Sequence, residues 1–102
     1  MISLSERPSK FQRKCIEATE RRMDAVGLKV VFDYFEGNTE SYYKATTKTD
    51  ARALEMFVYT DEAGFMINGT EWHVFEKPDY PNEEELIGRF LADLGRFLPQ
   101  HR

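Results

Sequence analysis

The residue types that do chemistry unaided are scarce in this chain: one cysteine, Cys15, and two histidines, His73 and His101. Cys15 falls on the apolar stripe of the first predicted helix, where a thiol behaves as a small hydrophobe. A nucleophilic cysteine needs exposure and a neighbouring base instead. His101 is next to the last residue and is expected to be mobile. His73 is predicted on a strand, on the sheet face opposite Trp72, with Glu55, Glu71 and Asp33 on its side. That patch is the one arrangement from which a small enzyme or metal carrier could be built. It lacks the spacing of a metal site, with no histidine pair on one helical turn, no cysteine pair and no calcium loop. Gly27, Gly37, Gly64 and Gly69 punctuate elements and do not form a phosphate-cradling loop. No Gly-x-Ser-x-Gly nucleophile turn occurs. No catalytic residue, metal or cofactor is therefore expected.

The elements that would position these residues follow from periodicity. Ser9 and Gln12 fit a capping box, and Phe11, Cys15, Thr19, Met23 and Val26 then recur every three or four residues, which predicts a helix closed by a left-handed Gly27. The period drops to two from Leu28 to Phe35, again from Glu40 to Thr47, and again from Ala53 to Tyr59, predicting strands separated by turns at 36–39 and 48–50. Asp61 to Gly64 reads as a further turn. Beyond it, Phe65 to Ile67 and Glu71 to Phe75 flank Asn68-Gly69, a strong two-residue hairpin signal. With that loop Ile67 faces Thr70 and Phe65 faces Trp72, so Phe65, Ile67, Trp72 and Val74 share one face. Asn82 caps a closing helix with Glu85 in the reciprocal position. Its stripe is Leu86, Ile87, Phe90, Leu91, Leu94, Phe97 and Leu98, and Gly88, Ala92 and Gly95 form a narrow line beside it.

The predicted fold class is α+β: an antiparallel four- to five-stranded sheet with an N-terminal and a C-terminal helix packed on one face. One domain over residues 1–102 is expected, with residues 1–8 a disordered lead-in. The apolar content of 41%, with 14% aromatic, is enough for one core without staples, and a lone cysteine allows no internal disulfide. The polar N-terminus is unlike a signal peptide and no stretch is long and apolar enough for a membrane span, so a cytoplasmic location is expected. The net charge of −4 argues against non-specific nucleic-acid binding. Only Tyr42-Tyr43-Lys44, with Lys29, Lys48 and Arg52, approaches a base-stacking surface. The charge is uneven, with ten basic residues against eight acidic in 1–52, and four against ten in 53–102.

Two short helices can shield only one face of such a sheet. The other face is predicted to receive Val31, Phe35, Tyr43, Phe57, Tyr59, Met66 and Phe75, more apolar material than a solvated face carries. Protein binding or self-association through the sheet follows, including a possible homodimer. The candidate contact residues are an aromatic set of Tyr43, Phe57, Tyr59, Trp72, Phe75 and Tyr80, surrounded by Asp61, Glu62, Glu71, Glu76 and Asp79.

The run Trp72-His73-Val74-Phe75-Glu76, followed by Asp79-Tyr80-Pro81-Asn82-Glu83-Glu84-Glu85-Leu86-Ile87 and Phe90, resembles the tail of small bacterial immunity proteins that neutralise toxins used between competing cells. It covers about a third of the chain. The resemblance implies a non-enzymatic protein that occludes a partner, with a final strand and acidic loop leading into a closing helix. The order of helix, antiparallel sheet and helix also resembles frataxin-like proteins, which implies an acidic iron-binding ridge on the first helix and first strand. Here that helix mixes Arg13, Arg21 and Arg22 with Glu17, Glu20 and Asp24.

Overall fold

The structure is a computed structural model that describes residues 8–49 and 51–99. His101, Asp50 and all but Pro8 of the expected lead-in lie outside them. The chain runs α1 (Lys10–Asp24), β1 (Asp33–Glu36), β2 (Ser41–Lys48), β3 (Ala53–Val58), β4 (Glu62–Ile67), β5 (Glu71–Glu76), a 3-10 turn (Lys77–Asp79) and α2 (Glu83–Gly95). The strands pair in sequence order as an antiparallel meander, and both helices pack on one face, α2 over β4 and β5 and α1 over β3. This is the predicted α+β architecture. No helix among the described residues is long and apolar enough to cross a membrane.

Local chemistry sets the helix ends. The Gln12 amide donates to Ser9 Oγ at 3.1 Å and the Ser9 amide donates back to Gln12 Oε1 at 2.9 Å, the reciprocal capping box. Gln12 Nε2 also donates to the Val58 carbonyl at 3.4 Å, so the cap ties α1 to the sheet. At the other end Leu28 N donates to Met23 O and Gly27 N to Asp24 O, with Gly27 at φ +81°, a Schellman closure. Asn82 Oδ1 accepts from the Glu85 amide at 2.8 Å and caps α2. The predicted return bond from Glu85 is not made. Its neighbours Glu83 and Glu84 reach Lys14 of α1 at 3.3 and 3.0 Å, and Lys77 reaches Glu83 at 3.2 Å. The lysines hold both carboxyls below the usual range, Lys77 leading for Glu83 and Lys14 for Glu84.

The core lies between the helices and one face of the sheet. Phe11, Cys15 and Met23 of α1 meet Leu54, Met56 and Val58 of β3, Phe65 of β4, and Leu86, Phe90 and Leu94 of α2, all essentially inaccessible. Burial pushes the Cys15 thiol up to about 12, the hydrogen bond with Thr19 opposing the rise. The folded chain thus holds the thiol proton more tightly than the unfolded one. This contribution to stability is complete below the ordinary thiol pKa of 9.0 and is lost as pH rises through the folded value. At mildly alkaline pH Cys15 is expected to resist a thiol-disulfide reagent in the native protein and to react fully in urea. Cys15→Ala is expected to flatten the alkaline loss of stability measured by thermal melts.

Three elements differ from the sequence reading. Only Asp33–Glu36 of the predicted first strand joins the ladder; Leu28 to Phe32 lies outside it. The fourth strand starts at Glu62, so Ala63 and Gly64 are strand residues, and the turn shortens to one in which the Tyr59 amide donates to the Glu62 carbonyl at 2.8 Å. Gly64 serves close approach here: a Cβ on it would sit 2.8 Å from the His73 carbonyl oxygen.

The third difference is register. Asn68 and Gly69 are both left-handed, at φ +53° and +74°, and the Thr70 amide donates to Ile67 O, as the Asn-Gly turn predicts. One further residue, Thr70, is nevertheless accommodated in the loop, so Ile67 faces Glu71 and Phe65 faces His73. That slip exchanges the faces of β5: His73 and Phe75 turn toward the helices, and Trp72 and Val74 turn away. The inward set packs well, because Phe65 meets Phe75, Phe90 and Phe97 with ring centroids 5.8–6.3 Å apart. Of the small-residue line on α2, only Gly95 is closely approached, by the Arg22 guanidinium of α1, while Gly88 looks onto open space.

Candidate functional site

The sheet face turned away from the helices is organised in rows. One row runs Phe35, Tyr42, Tyr59, Glu62, Glu76 and a second runs Asp33, Lys44, Phe57, Gly64, Val74; a third has Thr46, Glu55, Met66, Trp72. Phe35 stacks on Tyr42 at 5.6 Å, and Tyr42 stacks on Tyr59 at 5.0 Å and meets Phe57 at 6.1 Å. Phe57 continues to Trp72 at 5.0 Å. Gly64 of β4 pairs with Phe57, and the two rings touch across β4, so the aromatic chain runs from β1 to β5. Trp72, Val74 and Phe35 keep 50%, 47% and 39% of their surface exposed, whereas Phe57 beneath them is buried. The result is a platform with a covered centre and accessible ends.

Charge is distributed along this platform. Lys44 Nζ sits 5.4 Å from the Phe35 ring centre and 5.7 Å from that of Phe57, and 3.5 Å from Glu55 Oε2, so its charge is shared between two ring faces and a carboxylate. At one end Glu62 stands directly across from Glu76. Burial, reinforced by Glu76, Glu40 and Asp61, raises the Glu62 pKa. Burial, with Tyr42, Glu62 and Glu40, raises that of Tyr59. A hollow of about 470 Å³ opens there, lined by Gly37, Asn38, Thr39, Glu40, Tyr42, Tyr59 and Glu62. Because the folded Glu62 carboxyl holds its proton more tightly than in the unfolded chain, its contribution to stability is present in acid and lost as pH rises through the folded pKa. Glu62→Gln is therefore expected to raise the melting temperature by a few degrees at neutral pH. The gain should vanish below the ordinary carboxylate range.

The predicted contact residues divide between regions. Phe57, Tyr59, Trp72, Glu62 and Glu76 meet on the open face, with Asp61 in the turn beside them. Tyr43 and Phe75, predicted on that face, belong to the helix-covered one and are buried. Glu71 is also on the covered side of the ladder, at its exposed end; Asp79 ends the 3-10 turn and Tyr80 follows it and packs against the core cluster. Tyr42 and Val74 were missed as contact residues. Tyr42 is the hub of the platform, and its side of β2 was marked in the sequence by Lys44, a residue that does not face a two-helix core.

His73 does not join Glu55 or Asp33, which face the other way. Its ring stacks on Phe65 at 4.7 Å and meets Phe97 at 5.5 Å, and Nε2 lies 2.7 Å from Glu71 Oε2. No group of three metal-ligating side chains occurs among the described residues. The basic set divides too, because Arg52 Nη1 donates to the Phe97 carbonyl at 3.3 Å on the covered side while Lys44 stays on the platform.

No family model matches the chain, and neither the curated proteins nor the solved structures contain a significant match to it.

Proposed function

We propose that this chain is a non-enzymatic protein-binding module that engages its partner with the open sheet face, in the manner of an immunity or inhibitor protein that occludes a target. The observation that carries the reading is the aromatic chain Phe35, Tyr42, Tyr59, Phe57 and Trp72, left uncovered by both helices. Tyrosine and tryptophan dominate the energetic centres of interfaces because they bury large rigid area at low entropic cost and keep a polar tip. The acidic end at Glu40, Asp61, Glu62 and Glu76 complements a basic patch. It would act mainly on the rate of encounter while the rings carry affinity.

The test is affinity capture from the native source. The wild-type chain is expected to retain a partner and the double variant Phe35→Ser/Tyr42→Ser to release it. Gly88→Ser, on an exposed and open part of α2, is expected to behave as wild type. With the partner in hand, rising salt should slow association far more than it speeds dissociation. Equal retention by all three chains would reject the open-face reading.

A further inference from the structure

The sheet has two edges, and they are not alike. Both edge strands carry a carboxylate at each end, but β1 is only four residues long, which blunts it. β5 is six residues long, and its interior, Trp72 to Phe75, holds no lysine, proline or bulge to discourage another strand.

The bonding pattern shows which backbone groups β5 offers. The Tyr59 amide donates to Glu62 O and the Asn68 amide to Ala53 O, so the even-numbered residues of β4 bond toward β3. Antiparallel ladders alternate, and β4 therefore bonds toward β5 through its odd-numbered residues, as the Lys77 amide to Asp61 O bond shows. The set bonding toward β4 is Glu71, His73 and Phe75 of β5, continued by the Lys77 amide at the start of the 3-10 turn. The N–H and C=O groups of Trp72, Val74 and Glu76 face the free edge, and no turn, loop or side chain among the described residues bonds to them.

We propose that β5 pairs antiparallel with β5 of a second copy, about a two-fold axis through Val74, joining the two sheets into one. A continuous sheet keeps each face on its own side, so residues of like parity must oppose each other. With the axis at Val74, Val74 opposes its own copy and Trp72 opposes Glu76 of the second copy, which uses every outward donor and acceptor of the three residues. On the helix side Glu71 then opposes Lys77 of the second copy, an opposite-charge pair made twice. Moving the axis to His73 places Glu71 against Phe75 and loses the match of charge; moving it to Phe75 sets Trp72 against Pro78, which has no N–H to give. The half-exposed side chains of Val74 and Trp72 line the seam, and the open faces of the two copies merge into a single surface.

The inference stands apart from the partner-binding reading, because it depends on backbone groups at the edge and not on the rings of the platform. Sedimentation of the full chain at micromolar concentration tests it. The wild type is expected at twice the mass of one chain. Val74→Pro removes only an outward N–H, leaving the β4 ladder intact, and Val74→Lys places a charge on the seam; both are expected at the mass of one chain with an unchanged circular dichroism spectrum. If the proline variant does not fold, the lysine variant decides. Glu71→Lys, which leaves the Lys77–Glu83 ion pair in place and sets like charges across the seam, should weaken the dimer about tenfold. A wild-type chain that sediments as one copy, a folded Val74 variant that stays dimeric, or a Glu71→Lys chain that dimerises as tightly as the wild type would overturn the proposal.

Discussion

Trp72→Ala is expected to weaken partner binding by about 2–4 kcal/mol, or roughly 30- to 1000-fold, while costing the fold only about 1 kcal/mol. The contrast follows from geometry. Half of the indole surface is exposed, and the ring's contact in the free chain is with Phe57 at 5.0 Å. Truncation removes an anchor a partner would bury and also opens Phe57, which leaves a gap in the middle of the contact surface. Isothermal titration with the captured partner checks the loss of affinity, and urea unfolding of the free chain checks the stability. Binding unchanged by the truncation would remove Trp72 from the interface, and a large loss of stability would make it a core residue instead.

Phe65→Ala is expected to have the opposite profile, with about 3–5 kcal/mol of lost stability, which is most of what a marginal domain of this size has. Phe65 is fully buried and its ring meets those of His73, Phe75, Phe90 and Phe97, so one side chain joins β4, β5, α2 and the residues after it. The midpoint of urea unfolding should fall steeply, or the chain should be unfolded in buffer. A shift of only a few tenths of a kcal/mol would mean that α2 is not seated on Phe65.

The architecture was legible because its signals are local. Ser9 with Gln12, Gly27, Asn68-Gly69 and Asn82 each act within a few residues, and the apolar stripes of α1 and α2 are set by helical period alone. The candidate site was legible only in part, because it depends on which face each strand turns outward. Nothing between Ile67 and Glu71 states that Thr70 will be absorbed into the loop, and that single residue decides whether Trp72 or His73 meets the helices. In β2 the choice between Tyr42 and Tyr43 could have been made from Lys44, whose charge belongs with the outward set, yet two adjacent tyrosines offer equal apolar content to either side. Gly64 misled in a different way. It reads as turn punctuation, and only the packing shows that it is a strand residue that lets the His73 carbonyl come close.

The same geometry limits what the acidic second half does. Glu83 and Glu84 are engaged by Lys14 and Lys77, so the acids of the second half that stand beside the platform are Asp61, Glu62 and Glu76, joined there by Glu40 from the first half. Encounter should therefore be guided to one end of the sheet.

The most direct measurement is an amide chemical-shift map of the isotope-labelled chain titrated with its captured partner. The account predicts changes concentrated at Phe35, Tyr42, Phe57, Tyr59 and Trp72, with the Trp72 indole N–H among the most perturbed. Changes confined to the outer surfaces of α1 and α2, with the platform silent, would contradict it.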